Sequence, residues 1–252
     1  MSATRVKVAT WNLNNCCDAG GTLFDLRESG ADPSLFVDLD FLALQEVPFR
    51  NGAPTSDVTE VLERAGFPTF EHLVLAAAYN RDDGADTALL LASRVPPATA
   101  FVRKFDNPEL EAVVDDSTWK SDDKGLITVH ADTGGLRVSV TDTHLLPFTQ
   151  FGLTLGAPAA REPWTALVEH AELETEAVDL IVVTGDFNRS EKSLGTLKSA
   201  AYGRTTRDSG DSVDDIFVSP WAEVRGVVIQ ATRSDHHLVI GELECSRRPP
   251  RV

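Results

Sequence analysis

The sequence predicts an α/β fold in which two β-sheets pack on one another. Three observations carry this. Short apolar runs, often β-branched, recur along almost the whole chain, each bounded by Gly, Asn, Asp or Pro. Helical spacing of apolar residues is confined to a few stretches. Strands do not alternate strictly with helices, which disfavours a doubly wound parallel sheet, and no repeat or low-complexity linker interrupts the chain. One domain over residues 1–252 is expected, with 246–252 as a flexible tail.

Taken in order, Arg5 to Asn12 alternates polar and apolar residues, a half-buried strand running into an Asn- and Gly-rich loop. A weak helix is expected over Thr22 to Arg27 and a buried strand over Asp40 to Glu46. Ser56 to Ala65 reads as a helix, with Val58, Val61 and Leu62 on one face and Ser56 or Asp57 as N-cap. Strands follow over Thr69 to Ala77, Thr87 to Ser93 and Ala98 to Lys104, with a turn at Asn80 to Gly84. The acids between Asp106 and Asp123 read as a solvated loop. Gly125 to Ala131 and Leu136 to Thr143 form a hairpin through Thr133-Gly134-Gly135. Pro158 to Ala177 is the clearest helix, carrying Trp164, Leu167, Val168 and Ala171 at helical spacing. After a buried strand from Leu180, a helix is expected over Glu191 to Ala201. Strands over Asp215 to Val218, Val224 to Gln230 and His237 to Glu244 close the chain.

The chain is 42% hydrophobic and 25% charged, an ordinary balance for a protein with a full core. No run of about 18 apolar residues occurs, so no membrane insertion is expected. The first strand-like run starts by Arg5, leaving no room for a signal peptide. Three cysteines, two of them adjacent, make a poor disulfide set. A cytoplasmic monomer is the expectation. The formal charge of −16 argues against broad, nonspecific nucleic-acid binding. Arg189 to Arg207 reverses that sign, with five cations against Glu191 alone. That stretch is either a solvated basic helix face or a track for a polyanion backbone.

Polar residues recur where strands begin or end. Asn12, Gln45 and Glu46, Thr143 and His144, and Asp186 with Asn188 follow strands; Asp214 and Asp215, and Asp235 to His237, precede them. Each has an ordinary account: a turn for Gly185-Asp186-Phe187-Asn188, a surface acid for Glu46, a core histidine for His144, a cap for Asp214. Strands converging at one edge would instead deliver these groups to one pocket. Asp186 and Asn188 would then share a side, the carboxylate accepting a proton from water and the amide orienting it.

Trp11-Asn12, Leu44-Gln45-Glu46, Thr143-His144-Leu145, Gly185-Asp186-Phe187-Asn188, Val213-Asp214-Asp215-Ile216-Phe217 and Ser234-Asp235-His236 occur in that order. In this the chain resembles the endonuclease/exonuclease/phosphatase superfamily, which includes deoxyribonucleases, AP endonucleases and inositol phosphatases. The resemblance runs from Val8 to about Ile240. It implies a four-layer sandwich, two mixed sheets face to face with helices outside. It implies Mg²⁺ or Mn²⁺ held by Glu46, Asn12 and Asp235, with Asp186 as the water-activating base and Asn188 as its orienting partner. His236, braced by Asp214, would face the scissile phosphate, with His144 a second phosphate-side group. Oxygen ligands of this kind suit a hard cation, and no Cys/His cluster points to zinc. Asn14 stands where some AP endonucleases have a metal-binding aspartate, and Asp215 replaces an aromatic, which leaves two adjacent acids as candidates for the histidine partner. The expected activity is phosphodiester hydrolysis by activated water, on DNA or RNA. The alternatives are a phosphatase of a small metabolite or lipid head group, and a scaffold that kept the fold without the chemistry.

Overall fold

Two parallel strand pairs, one in each of two sheets, set the position of everything else. The computed structural model describes residues 3–114, 117–174, 177–190 and 192–246. Its elements are β1 (Thr4–Asn12), β2 (Phe41–Arg50), β3 (Ala53–Pro54), α1 (Ser56–Arg64), β4 (Thr69–Ala77), β5 (Asp86–Ser93) and β6 (Thr99–Lys104). There follow β7 (Glu111–Val114), β8 (Ser117–Lys120), β9 (Gly125–Thr133), β10 (Leu136–His144) and α2 (Pro158–Glu174). The rest are β11 (Leu180–Asp186), β12 (Lys198–Ser199), β13 (Asp214–Val218), β14 (Glu223–Gln230) and β15 (Leu238–Cys245). The first sheet has the order β14-β15-β1-β2-β5-β4, with β3 on β2. The second has the order β12-β13-β11-β10-β9-β6. Pairs β1–β2 and β10–β11 are parallel, and the other pairings are antiparallel, so both sheets are mixed.

Period-two alternation decides which side chains meet between the sheets. Val6 and Val8 of β1, Phe41 and Ala43 of β2, Val138 and Val140 of β10, and Leu180 and Val182 of β11 share one buried core. The alternate residues face outward. Ala9, Trp11, Leu42 and Leu44 pack with Val58 and Leu62 of α1, while Ile181 and Val183 pack with Leu167 and Ala171 of α2. Helix, sheet, sheet and helix therefore form the four expected layers.

Along the same inward rows the composition turns polar at one end. Thr10 and Asn12, Gln45, Asp142 and His144, and Thr184 and Asp186 continue the core positions, and all are buried. Gln45 Nε2 donates to Asp142 Oδ1 across the sheets at 2.6 Å. Asp142 Oδ2 is buried without a hydrogen-bond partner, and burial pushes this carboxyl well above its ordinary value. A folded pKa raised in this way gives stability that is complete below the usual carboxylate range and lost as pH rises toward the folded value. Asp142→Asn keeps an acceptor for Gln45 without the charge. It should stabilise the chain by about 1–3 kcal/mol at pH 7.5 and by almost nothing near pH 3.5, read from urea midpoints. An equal effect at both pH values would refute the buried-charge account.

Several expectations are corrected. Residues 22–27 form no α-helix; a 3-10 turn spans Leu26–Glu28, and Leu23 bridges Cys17 in extended form. The N-cap position of α1 is Thr55, without a side-chain capping bond; Ser56 and Asp57 already lie inside the helix, where Asp57 Oδ2 accepts from the Leu26 amide at 3.1 Å. Helix α2 is described over Pro158–Glu174; residues 175 and 176 lie outside the described residues, and Ala177 of the expected helix is in a turn. The acidic segment holds the two-stranded hairpin β7–β8, where Lys120 pairs with Glu111 at 2.9 Å. No helix covers residues 192–201. Leu194 must reach the α2 side and Ala201 the inter-sheet core, which an extended path with a turn at Gly195 allows. The expected tail beyond Ser246 lies outside the described residues. Among the described residues no helix is long and apolar enough to cross a membrane.

Candidate active site

The two parallel pairs end in register at the same edge of the sandwich. Asn12 lies opposite Gln45, and His144 lies opposite Asp186. A register shift between Leu44 and Val47, with Glu46 at φ 50°, turns the Glu46 side chain into this edge. Gly185 (φ 140°) lets β11 approach β10 so closely that a Cβ would lie 1.9 Å from the Thr143 carbonyl oxygen. Asn188 is also left-handed, at φ 49°. The strand therefore stops at Asp186, and Asn188 returns to it by a turn rather than by continued extension.

Asp186 is the hub. Its Oδ1 accepts from the Asn188 backbone amide at 2.8 Å, and its Oδ2 accepts from Asn12 Nδ2 at 3.1 Å. Two histidines flank Oδ2: His144 Nε2 at 3.5 Å and His236 Nε2 at 3.8 Å. Burial alone would raise the Asp186 pKa, yet His236 and His144 hold it below the ordinary value. His236 Nδ1 lies 2.9 Å from Asp214 Oδ2. Burial would lower the His236 pKa, but Asp214 and Asp186 outweigh it and hold it at about 9. Of the two adjacent acids, Asp214 is thus the histidine partner. Asp215 points to the opposite face, where Ser199 Oγ and the amides of Ala201 and Ile216 satisfy it at 2.6, 3.0 and 2.7 Å.

The candidate metal ligands surround this hub. Glu46 is buried, which raises its pKa; Asn12 Nδ2 and Asn15 Nδ2 donate to it at 3.3 Å each, and the Tyr79 hydroxyl at 3.2 Å. Arg207 grips Asp235 Oδ2 through Nε and Nη2 at 3.0 and 2.6 Å. Asp235 Oδ1 is buried, partnerless and 4.0 Å from His236 Nε2. An orphaned carboxylate oxygen beside a second buried carboxylate fits a hard divalent cation, which would satisfy it. Asn12 Oδ1 accepts from Asn14 N at 2.9 Å, so ligation through that oxygen requires the amide to turn away from Asn14. Asp186, Asp214 and His236 also bring ligand atoms within 4.8 Å of one another. There the imidazolium is itself the cation between two carboxylates, so that trio needs no other.

All eight expected residues therefore meet at one place. Lys124, Tyr79 and Asn15 join them without having been foreseen from the sequence. Burial and Lys124 lower the His144 pKa well below its ordinary value. The basic stretch is mostly spent on structure: Lys192, Lys198 and Arg204 donate to the carbonyls of Ser212, Ala222 and Val227 at 2.7, 2.8 and 2.9 Å. Of its cations, only Arg207 lines the main cleft. That cleft, about 790 Å³, opens over Asp186 and is walled by Tyr79, Trp119, Lys120 and Phe151. A smaller cavity of about 310 Å³ adjoins it across Pro147, Gln150, Asn188 and Arg207.

Solved structures share this fold. An endonuclease/exonuclease/phosphatase from Beutenbergia cavernae superposes with a TM-score of 0.68 at 17% identity, covering 96% of this chain and 72% of that one. The human Nocturnin catalytic domain with bound sulfate gives 0.61 at 17% identity, covering 97% of each chain. Sphingomyelinase C from Streptomyces griseocarneus gives 0.60 at 17% identity, covering 95% of this chain and 99% of that one. No curated protein matches. The sequence model of the Endonuclease/Exonuclease/phosphatase family matches residues 9–236. With that match over nearly its whole length, the chain belongs to this family, whose members are divalent-metal-dependent hydrolases of phosphate esters.

Proposed function

We propose that this chain is a Mg²⁺- or Mn²⁺-dependent phosphodiesterase that attacks with an activated water and acts on DNA or RNA. The observation that carries the reading is Asp186, a buried carboxylate held between two histidines at 3.5 and 3.8 Å beside the orphaned Asp235 Oδ1. Glu46 and Asp235, with Asn12, would hold the metal, which when bound neutralises phosphate charge and supports the leaving oxygen. Asp186 accepts the proton of the attacking water, and Asn188 fixes the orientation of that water. His236, kept protonated by Asp214, offers a charged donor to the developing negative charge on phosphorus oxygens. His144 offers a second donor from the opposite side. The cleft and the smaller cavity share Asn188 and Arg207 in their linings, and together they offer room for the two groups that flank the phosphate of a diester. The three cysteines are buried and none is in a disulfide, in keeping with a cytoplasmic site of action.

A second reading, a phosphatase of a small phosphorylated metabolite, is favoured by the net charge of −16, which repels long polyanions. Bis-(p-nitrophenyl) phosphate, p-nitrophenyl phosphate, DNA and RNA, each with Mg²⁺, with Mn²⁺ and with excess chelator, separate the two. Diester and nucleic-acid cleavage that falls to background in chelator and returns with metal is the expected result. Release of phosphate from monoesters alone would select the phosphatase, and full activity in chelator would exclude the metal.

A further inference from the structure

Lys124 is buried beside the reacting centre, immediately before β9. Its ammonium has two polar neighbours, Asp122 Oδ2 at 3.2 Å and His144 Nδ1 at 3.3 Å. An ammonium has three N–H donors and no lone pair. His144 Nδ1 must turn its lone pair toward it, because a proton on that nitrogen would meet an Nζ–H head on. The other ring nitrogen has the reverse surroundings: Nε2 faces Asp186 Oδ2 at 3.5 Å and Glu46 Oε1 at 3.7 Å. Asn188 Nδ2 also lies 3.2 Å from Nε2, but its hydrogens have acceptors in Leu145 O at 2.7 Å and Asp186 Oδ2 at 3.3 Å. Both sides of the ring therefore select the tautomer with its proton on Nε2. His236 is oriented by the opposite device, a carboxylate that draws a proton onto Nδ1.

We propose that Lys124 is a positioning residue for the hydrolysis put forward above: its ammonium fixes the His144 ring so that Nε2–H, and not a lone pair, is presented to a phosphoryl oxygen. The proposal rests on the phosphodiesterase reading. Lys124 acts through His144 and is not itself a catalytic group. The two histidines of the site then have distinct tasks, His144 supplying a directed neutral donor and His236 a charged one.

Long-range ¹H–¹⁵N correlation spectra of ¹⁵N-histidine-labelled chain read the tautomer directly, with His144→Gln identifying its signals among the six histidines. The wild-type chain in chelator should show the Nε2–H pattern for His144. An Nδ1–H pattern overturns the proposal whether or not any variant folds. Lys124→Glu places an acceptor opposite Nδ1 and should switch the pattern, whereas Lys124→Arg should keep it. With bis-(p-nitrophenyl) phosphate and Mg²⁺, Lys124→Met should lower kcat by about 10- to 100-fold with KM changed less than about 3-fold, the scale of losing an orienting partner. Lys124→Arg should recover most of that loss. Unchanged kcat in folded Lys124→Met, or a change confined to KM, would also overturn the proposal. A wild-type chain inactive on every phosphate ester would sink the phosphodiesterase reading while the spectra still report on His144.

Discussion

Asp186→Asn should lower kcat on a phosphodiester by about 10²–10⁴-fold, the usual contribution of a positioned proton acceptor, while the chain stays folded. The amide oxygen can keep the hydrogen bond from the Asn188 amide, now 2.8 Å from Oδ1. The other half of the side chain becomes a donor. It would then face Asn12 Nδ2, another donor, now at 3.1 Å, and it could take no proton from water. Steady-state kinetics with Mg²⁺, paired with a thermal melt, separate lost chemistry from lost structure. A folded Asp186→Asn enzyme with near-normal kcat would remove Asp186 from the base role.

Gly185→Ala should be as damaging to the fold as Asp186→Asn is to turnover. A left-handed backbone at φ 140° is costly for any residue with a Cβ, and the added carbon would lie 1.9 Å from Thr143 O. That oxygen belongs to the neighbouring backbone in a parallel pair, Thr143 opposite Gly185, so it cannot swing aside like a flexible side chain. We expect a loss of about 3 kcal/mol or more, seen as a lower urea midpoint and poor soluble yield. A variant as stable as the parent would mean that β10 and β11 do not approach this closely.

How far the sequence reveals this arrangement depends on how local each signal is. Leu180 to Asn188 is legible because a β-branched run, a glycine and two polar residues all lie within one strand and its end. The inward rows are legible too, since Val6, Val8, Thr10 and Asn12 differ by steps of two and change from apolar to polar toward the site. Glu46 is harder: strict alternation would put it on the face opposite Gln45, and only the irregularity between Leu44 and Val47 brings it in. Lys124 and Tyr79 arrive from connections, where no periodicity announces direction, and each is recognisable only once β9 and β4 are placed. The expected helix over Glu191 to Ala201 fails because tertiary demand overrides local propensity. Lys192 is tied to two carbonyls, and Lys198–Ser199 is drawn onto β13 as an edge strand.

Asn12 and Glu46 come from one sheet, His144 and Asp186 from the other, and side-chain packing, with hydrogen bonds such as Gln45 to Asp142 and Asn12 to Asp186, keeps the two in step. Turnover is therefore hostage to the grip between the sheets. On the roles proposed above, a slight breathing of the sandwich, too small to break a single backbone ladder, would separate Asp186 from Glu46. On that reading, the temperature at which activity fails would be set at the aliphatic seam beneath the pocket, by Val8, Ala43, Val140 and Val182.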